Sequence, residues 1–389
     1  MQQLSLFEST STNQTVPSPV QRVLALGATL AVSVSGGKDS DAMLRHLVRL
    51  HQAQKWPGKM FAITADLGRI EWPGTLEHIK ALCDELGVPL EVVRRAKGGM
   101  IDRWDQRRQT LQDSGQHKPF WSSASARYCT KELKTAECDR NLRAEDLVVC
   151  AVGIRAKESP NRAKQPRFRI RSAITTAALK EPKGMATADE KERWAEGAIS
   201  TWLDSGRKGR LALTWHPIFD WSLGQVWREL GTSLSALDHR RALYQAGQFA
   251  PALQGWPAHW AYVSGNSRLS CSLCVLASSA DILNGAMHNP RTWAELALME
   301  AQSGWSFQQG QWLGSLNIDP RERLEGLRRL FKVLGQLGLL MHPAPKFVIV
   351  LLQTCPIEIA AWWQADALAG INQTLHLLTN PNDFDKMVS

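Results

Sequence analysis

The chain is expected to fold as an α/β protein, a Rossmann-like parallel sheet with helices on both faces, followed by a helical C-terminal region. Three observations predict this. Short apolar runs rich in β-branched residues alternate with stretches of helical period. A glycine-rich turn, Ser35-Gly36-Gly37-Lys38-Asp39-Ser40, joins the first such run directly to the first helical stretch. The 389 residues are 44% hydrophobic and 21% charged, which suits a packed globular chain rather than a disordered or fibrous one. Strands alternating with helices pair in parallel, and ligands of such sheets bind at the carboxyl ends of the strands.

The elements follow in order. Residues 30–34 (LAVSV) read as a buried strand. From Asp39 to about Gln54, Met43, Leu44, Leu47, Val48 and Leu50 recur at helical spacing. A second strand over 60–65 runs into Asp66-Leu67-Gly68. A helix over 75–86 stops at Gly87 with Pro89 just beyond, a C-terminal signal. Strands are predicted over 90–94 and 146–152, another over 211–218, and a helix over 222–230. Residues 155–210 are basic and weakly periodic and read as a long loop or partly helical insertion. Beyond Ala280 the pattern is helical, most clearly over 321–340, with Trp362 and Trp363 packing there. The expected organisation is a flexible polar tail over 1–21, a nucleotide-binding catalytic domain over 22–280, and a helical region over 281–389.

A formal charge of +9 points toward a polyanionic substrate or partner. No apolar run approaches the ~20 residues that cross a bilayer, and the polar start lacks a signal pattern, so a cytoplasmic enzyme without membrane attachment is expected. The 7 cysteines, an odd number, argue against a disulfide framework. Nothing in the sequence decides the oligomeric state.

The turn at 35–40 has the parts of a phosphate site. Gly36 and Gly37 let backbone N–H groups approach an anion. A helix N-terminus adds partial positive charge, and Lys38 adds a full one. Ser35 and Ser40 can donate to phosphate oxygens, and Asp39 can help hold Mg²⁺. The spacing is not that of a Walker A loop.

Ser-Gly-Gly-Lys-Asp-Ser after a strand resembles the pyrophosphatase loop of the adenine nucleotide α-hydrolase superfamily, whose members cleave ATP between its α and β phosphates or bind adenylylated substrates. Three further segments resemble the phosphoadenylylsulfate reductase branch of that superfamily. These are residues 65–75 (ADLGRIEWPGT), the run Gly153-Ile-Arg155-Ala-Lys-Glu158-Ser159-Pro-Asn-Arg162, and Pro217-Ile-Phe-Asp220-Trp221. The resemblance spans about residues 22–280. It implies a nucleotide site of Ser35, Gly36, Gly37, Lys38, Asp39, Ser40, Asp66, Gly153, Arg155, Glu158 and Arg162, with ATP or an adenylylsulfate-type nucleotide and Mg²⁺ bound there. The arginines supply bidentate forks for phosphate or sulfate oxygens, and Glu158 can orient one of them. Asp66 suits a ribose hydroxyl, a metal or a turn cap equally.

The chain also departs from that branch. Reductases acting on the sulfonucleotide itself typically lack the lysine-bearing loop and end in a catalytic cysteine tail, whereas Lys38 is present here and the sequence closes Asp-Phe-Asp-Lys-Met-Val-Ser389. The resemblance therefore leans toward relatives that activate a substrate with ATP or transfer sulfur, such as the ATP sulfurylase small subunit and DNA phosphorothioation enzymes.

Residues 127–134 (RYCTKELK) resemble the family's Arg-x-Cys-x-x-x-x-Lys segment, and Cys271-Ser-Leu-Cys274 follows downstream. Cys129, Cys271 and Cys274, with Cys138 as the nearest fourth candidate, form a candidate ligand set for a 4Fe–4S cluster. Zinc, a redox pair and plain burial are the other readings. Cys83, Cys150 and Cys355 sit in apolar patterns and are expected in the core.

Seven cations between Arg155 and Arg171 face one acid, Glu158, and suit either a nucleic-acid backbone, of tRNA or DNA, or a solvated loop. Among 16 tryptophans, Trp104 and Trp121 lie beside basic residues, where base stacking or core packing are the alternatives. Three functions are compatible: ATP-dependent adenylylation coupled to sulfur transfer, with Lys38, Asp39, Arg155 and Cys129 catalytic; sulfonucleotide reduction; and a nucleic-acid-binding module with an inactive nucleotide pocket.

Overall fold

The structure is a computed structural model describing residues 16–269 and 271–313. Six strands form one sheet in the order β3-β2-β1-β4-β6-β5. They are β1 (Thr29–Ser33), β2 (Met60–Asp66), β3 (Leu90–Arg94), β4 (Leu147–Val152), β5 (Phe168–Ile170) and β6 (Leu211–Trp215). All neighbouring pairs run parallel except β5 with β6. From β1 the chain moves outward to β3, then returns to pair β4 with the other side of β1. The order thus reverses between β1 and β4, which is where a doubly wound sheet opens its ligand crevice. Ser33 lies opposite Val152 at that point, so the segments after β1 and β4 emerge side by side.

The central strands are apolar because both of their faces are covered. Leu30, Ala31 and Val32 are fully buried, as are Val148, Val149 and Ala151. Cys83 and Cys150 are buried as expected. α1 (Ser18–Ala25) buries Val20, Val23 and Leu24 against the same core. The tail expected to reach residue 21 therefore gives way to a packed helix before that point. α2 (Lys38–Gln54) and α3 (Thr75–Leu86) follow β1 and β2, and α4 (Met100–Asp113) follows β3.

Residues 155–210 follow the partly helical reading rather than the long loop, and they also add a strand to the sheet. They supply β5, which closes one edge of the sheet, and a helix over Ala188–Asp204. That helix starts on a Thr187–Glu190 capping box and buries Ala195, Ala198, Ile199 and Trp202. Five of the seven cations between 155 and 171 are spent holding this segment, in the pairs Arg155–Asp39, Arg162–Glu158, Arg167–Asp220, Arg169–Glu181 and Arg171–Asp139. This stretch is therefore not a free basic patch, and the chain's net charge of +9 must be carried by cations elsewhere.

A second apolar cluster joins α4 and residues 120–133 to the helices Ser279–His288 and Pro290–Ser303. Trp104 and Trp121 lie inside it, edge to face at 5.2 Å and 2% and 5% exposed. They are core residues and unavailable for stacking on a base. The helix expected over 321–340, Cys355, Trp362 and Trp363 lie outside the described residues. No described helix is long and apolar enough to cross a membrane.

Candidate active site

The phosphate loop occupies the mouth of the β1/β4 crevice. Gly36 takes φ +68°, open to glycine, and a Cβ there would press on Thr75 and Ile79 of α3 at 3.3 and 3.5 Å. Gly153, one residue after β4, faces the backbone of Asp39 and Ser40, which a Cβ would meet at 3.3 Å. The Ser40 hydroxyl is used inside the loop, donating to the Gly37 carbonyl at 2.8 Å and accepting the Ser35 N–H at 3.1 Å.

Lys38 and Asp39 occupy the first turn of α2, where the helix dipole adds to the lysine's charge. Lys38 is 6% exposed. Its Nζ lies 3.3 Å from the Asp39 carboxylate and 5.2 Å over the Tyr262 ring. The Tyr262 hydroxyl accepts the Lys38 and Leu269 N–H groups at 2.9 and 3.3 Å, and burial pushes its phenol far up, so it stays protonated. Tyr262 thus ties residues 260–269 over the loop, a role that a single tyrosine in a Ser- and Gly-rich stretch does not announce.

Arg155 Nε donates to Asp39 at 2.5 Å, with side chains only 6% and 16% exposed. It is set there from two directions. Glu158 accepts the Arg155 N–H at 3.2 Å and pairs with Arg162. The Ala156 N–H reaches the Phe219 carbonyl at 2.8 Å, and Arg155 itself reaches that of Trp221. The loop, the segment after β4 and the Pro-Ile-Phe-Asp-Trp turn therefore meet at one ion pair. Asp66 caps its own turn by accepting the Gly68 N–H at 2.7 Å and pairs with Arg94. It stands on the rim of a cleft of about 460 Å³ lined also by Glu71, Trp72, Thr75 and Asp102.

Asp41, at 1% side-chain exposure, accepts from His78 Nε2 on α3 at 2.7 Å. This clasp joins the phosphate loop to the wall of the cleft. Removing His78 leaves a buried carboxylate without its main partner, so His78→Ala is expected to cost about 1–3 kcal/mol in a denaturant titration, and His78→Gln less.

Burial pushes Glu71 up to about 7, against the pull of Lys134 and the Leu67 N–H. Between its ordinary 4.5 and about 7 the folded state binds the extra proton. Stability from this group is therefore full below 4.5 and declines as pH rises to about 7. Glu71→Gln is expected to flatten that part of a melting-temperature profile.

Cys129 and Cys271 pack on the second apolar cluster. Burial raises the Cys271 thiol well above its ordinary range, Lys134 opposes the rise, and Cys274, Glu71 and Cys129 lie close enough to add to it. The hydrogen bond from the Ser272 N–H to the Ile70 carbonyl at 2.8 Å docks this turn beside the end of β2. Cys138 does not join them. A π-turn over Lys131–Thr135 leads into the helix Ala136–Leu142, which sends Cys138 into the core with Cys150, and burial pushes its thiol up to about 12. Among the described residues no three Cys, His, Asp or Glu side chains converge to hold a metal ion. Cys138 therefore stands apart from Cys129 and Cys271. Peptide mapping after iodoacetamide treatment at pH 8 is expected to find the partly exposed Cys129 and Cys274 labelled and the buried Cys138 and Cys150 untouched.

Residues 29–238 match the phosphoadenosine phosphosulfate reductase domain. No curated protein matches the chain. Among solved structures, the U34-tRNA thiolase NcsA from Methanococcus maripaludis, determined with its 4Fe–4S cluster, aligns at 12% identity over 82% of this chain and 76% of that one. Its TM-score of 0.27 is too low to bear on the site.

Proposed function

Because the chain belongs to the phosphoadenosine phosphosulfate reductase family, whose members are sulfur-related, nucleotide-using enzymes, we propose that it cleaves ATP to AMP and pyrophosphate, adenylylating an acceptor for sulfur transfer. The observation that carries this reading is the Lys38–Asp39–Arg155 group at the β1/β4 crevice. Two nearly buried cations flank a helix N-terminus whose loop amides can face phosphate oxygens.

ATP would lie with its β and γ phosphates on the loop. An acceptor oxygen attacks the α phosphorus, the bond to the pyrophosphate oxygen breaks, and the acceptor carries away the adenylyl group. Lys38 and the loop amides stabilise the charge that grows on the leaving pyrophosphate, and Arg155 holds Asp39 and α-phosphate oxygens in register. Both Asp39 oxygens are already shared with cations, so the residues fit Mg²⁺ only as an ion brought by the nucleotide, where it would neutralise phosphate charge. In the second half, a sulfide-level sulfur nucleophile such as hydrosulfide attacks the activated carbon. The new C–S bond replaces the C–O bond, and AMP leaves with its electron pair, without net oxidation or reduction. The sulfur would arrive on the side of Cys129, Cys271 and Cys274.

Phosphorus NMR of ATP incubated with the protein and a candidate acceptor tests the first half. AMP and pyrophosphate are the expected products. ADP and phosphate would overturn the cleavage site, and sulfite released from an adenylylsulfate without ATP would favour reduction.

A further inference from the structure

A second concentration of positive charge stands apart from the phosphate loop, beside Cys129. Arg103 and Arg107 lie four residues apart on α4, on one face of the helix. Their guanidinium carbons are 5.0 and 5.1 Å from the centre of the same ring, that of Tyr128. Among the described residues the pair has one acid, Glu132, which accepts from Arg103 Nε at 2.6 Å. Arg107 is not in any ion pair among the described residues, and its Nε is buried without a hydrogen-bond partner.

Two like charges packed against one ring around a single carboxylate leave a surplus of one. A buried N–H of a cation is costly to leave without an acceptor. Among the described residues none supplies one. The Tyr128 hydroxyl donates to the Phe120 carbonyl, and burial keeps that phenol protonated. Asp105 is taken by Arg108 at 2.6 Å, and Asp102 by Arg69 at 2.8 Å. On either side of Tyr128 and Cys129, Arg127 and Lys131 are exposed. The cations therefore spread from a helix face onto an open turn instead of enclosing a small pocket. That layout suits an anion with charges repeated along a chain, such as the one negative charge per ~3.4 Å of strand in a nucleic acid. The chain's +9 charge agrees.

We infer that Arg103 and Arg107, extended by Arg127 and Lys131, form a docking surface for the phosphodiester backbone of a nucleic acid, placing a base within reach of Cys129. The inference rests on the proposed function only in taking the docked molecule as the acceptor. Backbone contacts of this kind fix register and carry no sequence information.

The test is fluorescence anisotropy with labelled single-stranded RNA and DNA 20-mers and a folded tRNA transcript, at low and physiological salt. Wild type is expected to bind in a salt-sensitive way. Arg107→Gln should weaken binding several-fold and lower the slope of log K against log salt by about 1. Arg127→Glu with Lys131→Glu should weaken it further, with melting temperatures confirming that the variants are folded. Bound oligonucleotide should protect Cys129 from iodoacetamide, while inorganic phosphate at the same phosphate concentration should not. Wild-type affinity in Arg107→Gln would overturn the inference. So would salt-insensitive or absent binding by wild type, or equal protection by inorganic phosphate, which would mark a small-oxyanion site instead. Lys38→Ala separates the two readings, because it should bind oligonucleotide normally. A wild type that binds through Arg107 yet releases no pyrophosphate from ATP would defeat the proposed function and leave the docking surface standing.

Discussion

Replacing Lys38 with Ala is expected to lower ATP-dependent pyrophosphate release by about 10²–10³-fold, the usual effect of deleting one donor aimed at charge that develops in a transition state. The fold should survive, because what α2 asks of residue 38 is its backbone. The N–H that Tyr262 accepts at 2.9 Å is untouched, and Ala is a good first-turn residue. Asp39 keeps Arg155 as partner. The loss should therefore appear in kcat and kcat/KM, with a thermal midpoint near that of wild type. Lys38→Arg should recover part of the rate, since charge is restored without the compact ammonium geometry. A coupled pyrophosphate assay reads both variants, and an unchanged rate in Lys38→Ala would remove the loop from the chemistry.

Arg155→Ala is expected to act on stability as well as rate. The Arg155–Asp39 pair is almost wholly buried, and cutting one member leaves a carboxylate beside the loop with only Lys38 to answer it. Loss of one partner of a buried pair costs about 3–5 kcal/mol, far more than an exposed pair is worth. Denaturant midpoints should show most of that cost. Pairing the change with Asp39→Asn should recover a good part of it by removing the stranded charge. If the double variant is as unstable as the sum of the singles, the two residues are not energetically coupled and the geometry at the crevice needs another explanation.

Much of this arrangement was legible from local pattern. The strand over 30–34, the glycine pair and the helix from Asp39 are each a signal within a few residues, and they appear as β1, the loop and α2 with bounds shifted by one. The motif segments around Arg155 and Asp220 could be placed near strand ends for the same reason. What escaped depends on partners far along the chain. The arginines between 155 and 171 look like a free basic patch because Asp39, Asp139, Glu181 and Asp220, which pair with four of them, lie 12 to over 100 residues away. β5 is three residues long with an arginine at its centre, too short to show an alternation. Tyr262 reaches the loop across 224 residues. Cys138 lies near Cys129 in sequence, but the π-turn and helix between them rotate the two thiols into different cores.

In the proposed reaction the β1/β4 crevice makes and breaks the bond between the α and β phosphates. ATP–pyrophosphate exchange tests it most directly, with labelled pyrophosphate, unlabelled ATP, Mg²⁺ and an acceptor such as a tRNA or DNA strand. Reversible adenylylation predicts label entering ATP with wild type and not with Lys38→Ala. Steady conversion of ATP to ADP, or no exchange while an adenylylsulfate is reduced to sulfite, would contradict it.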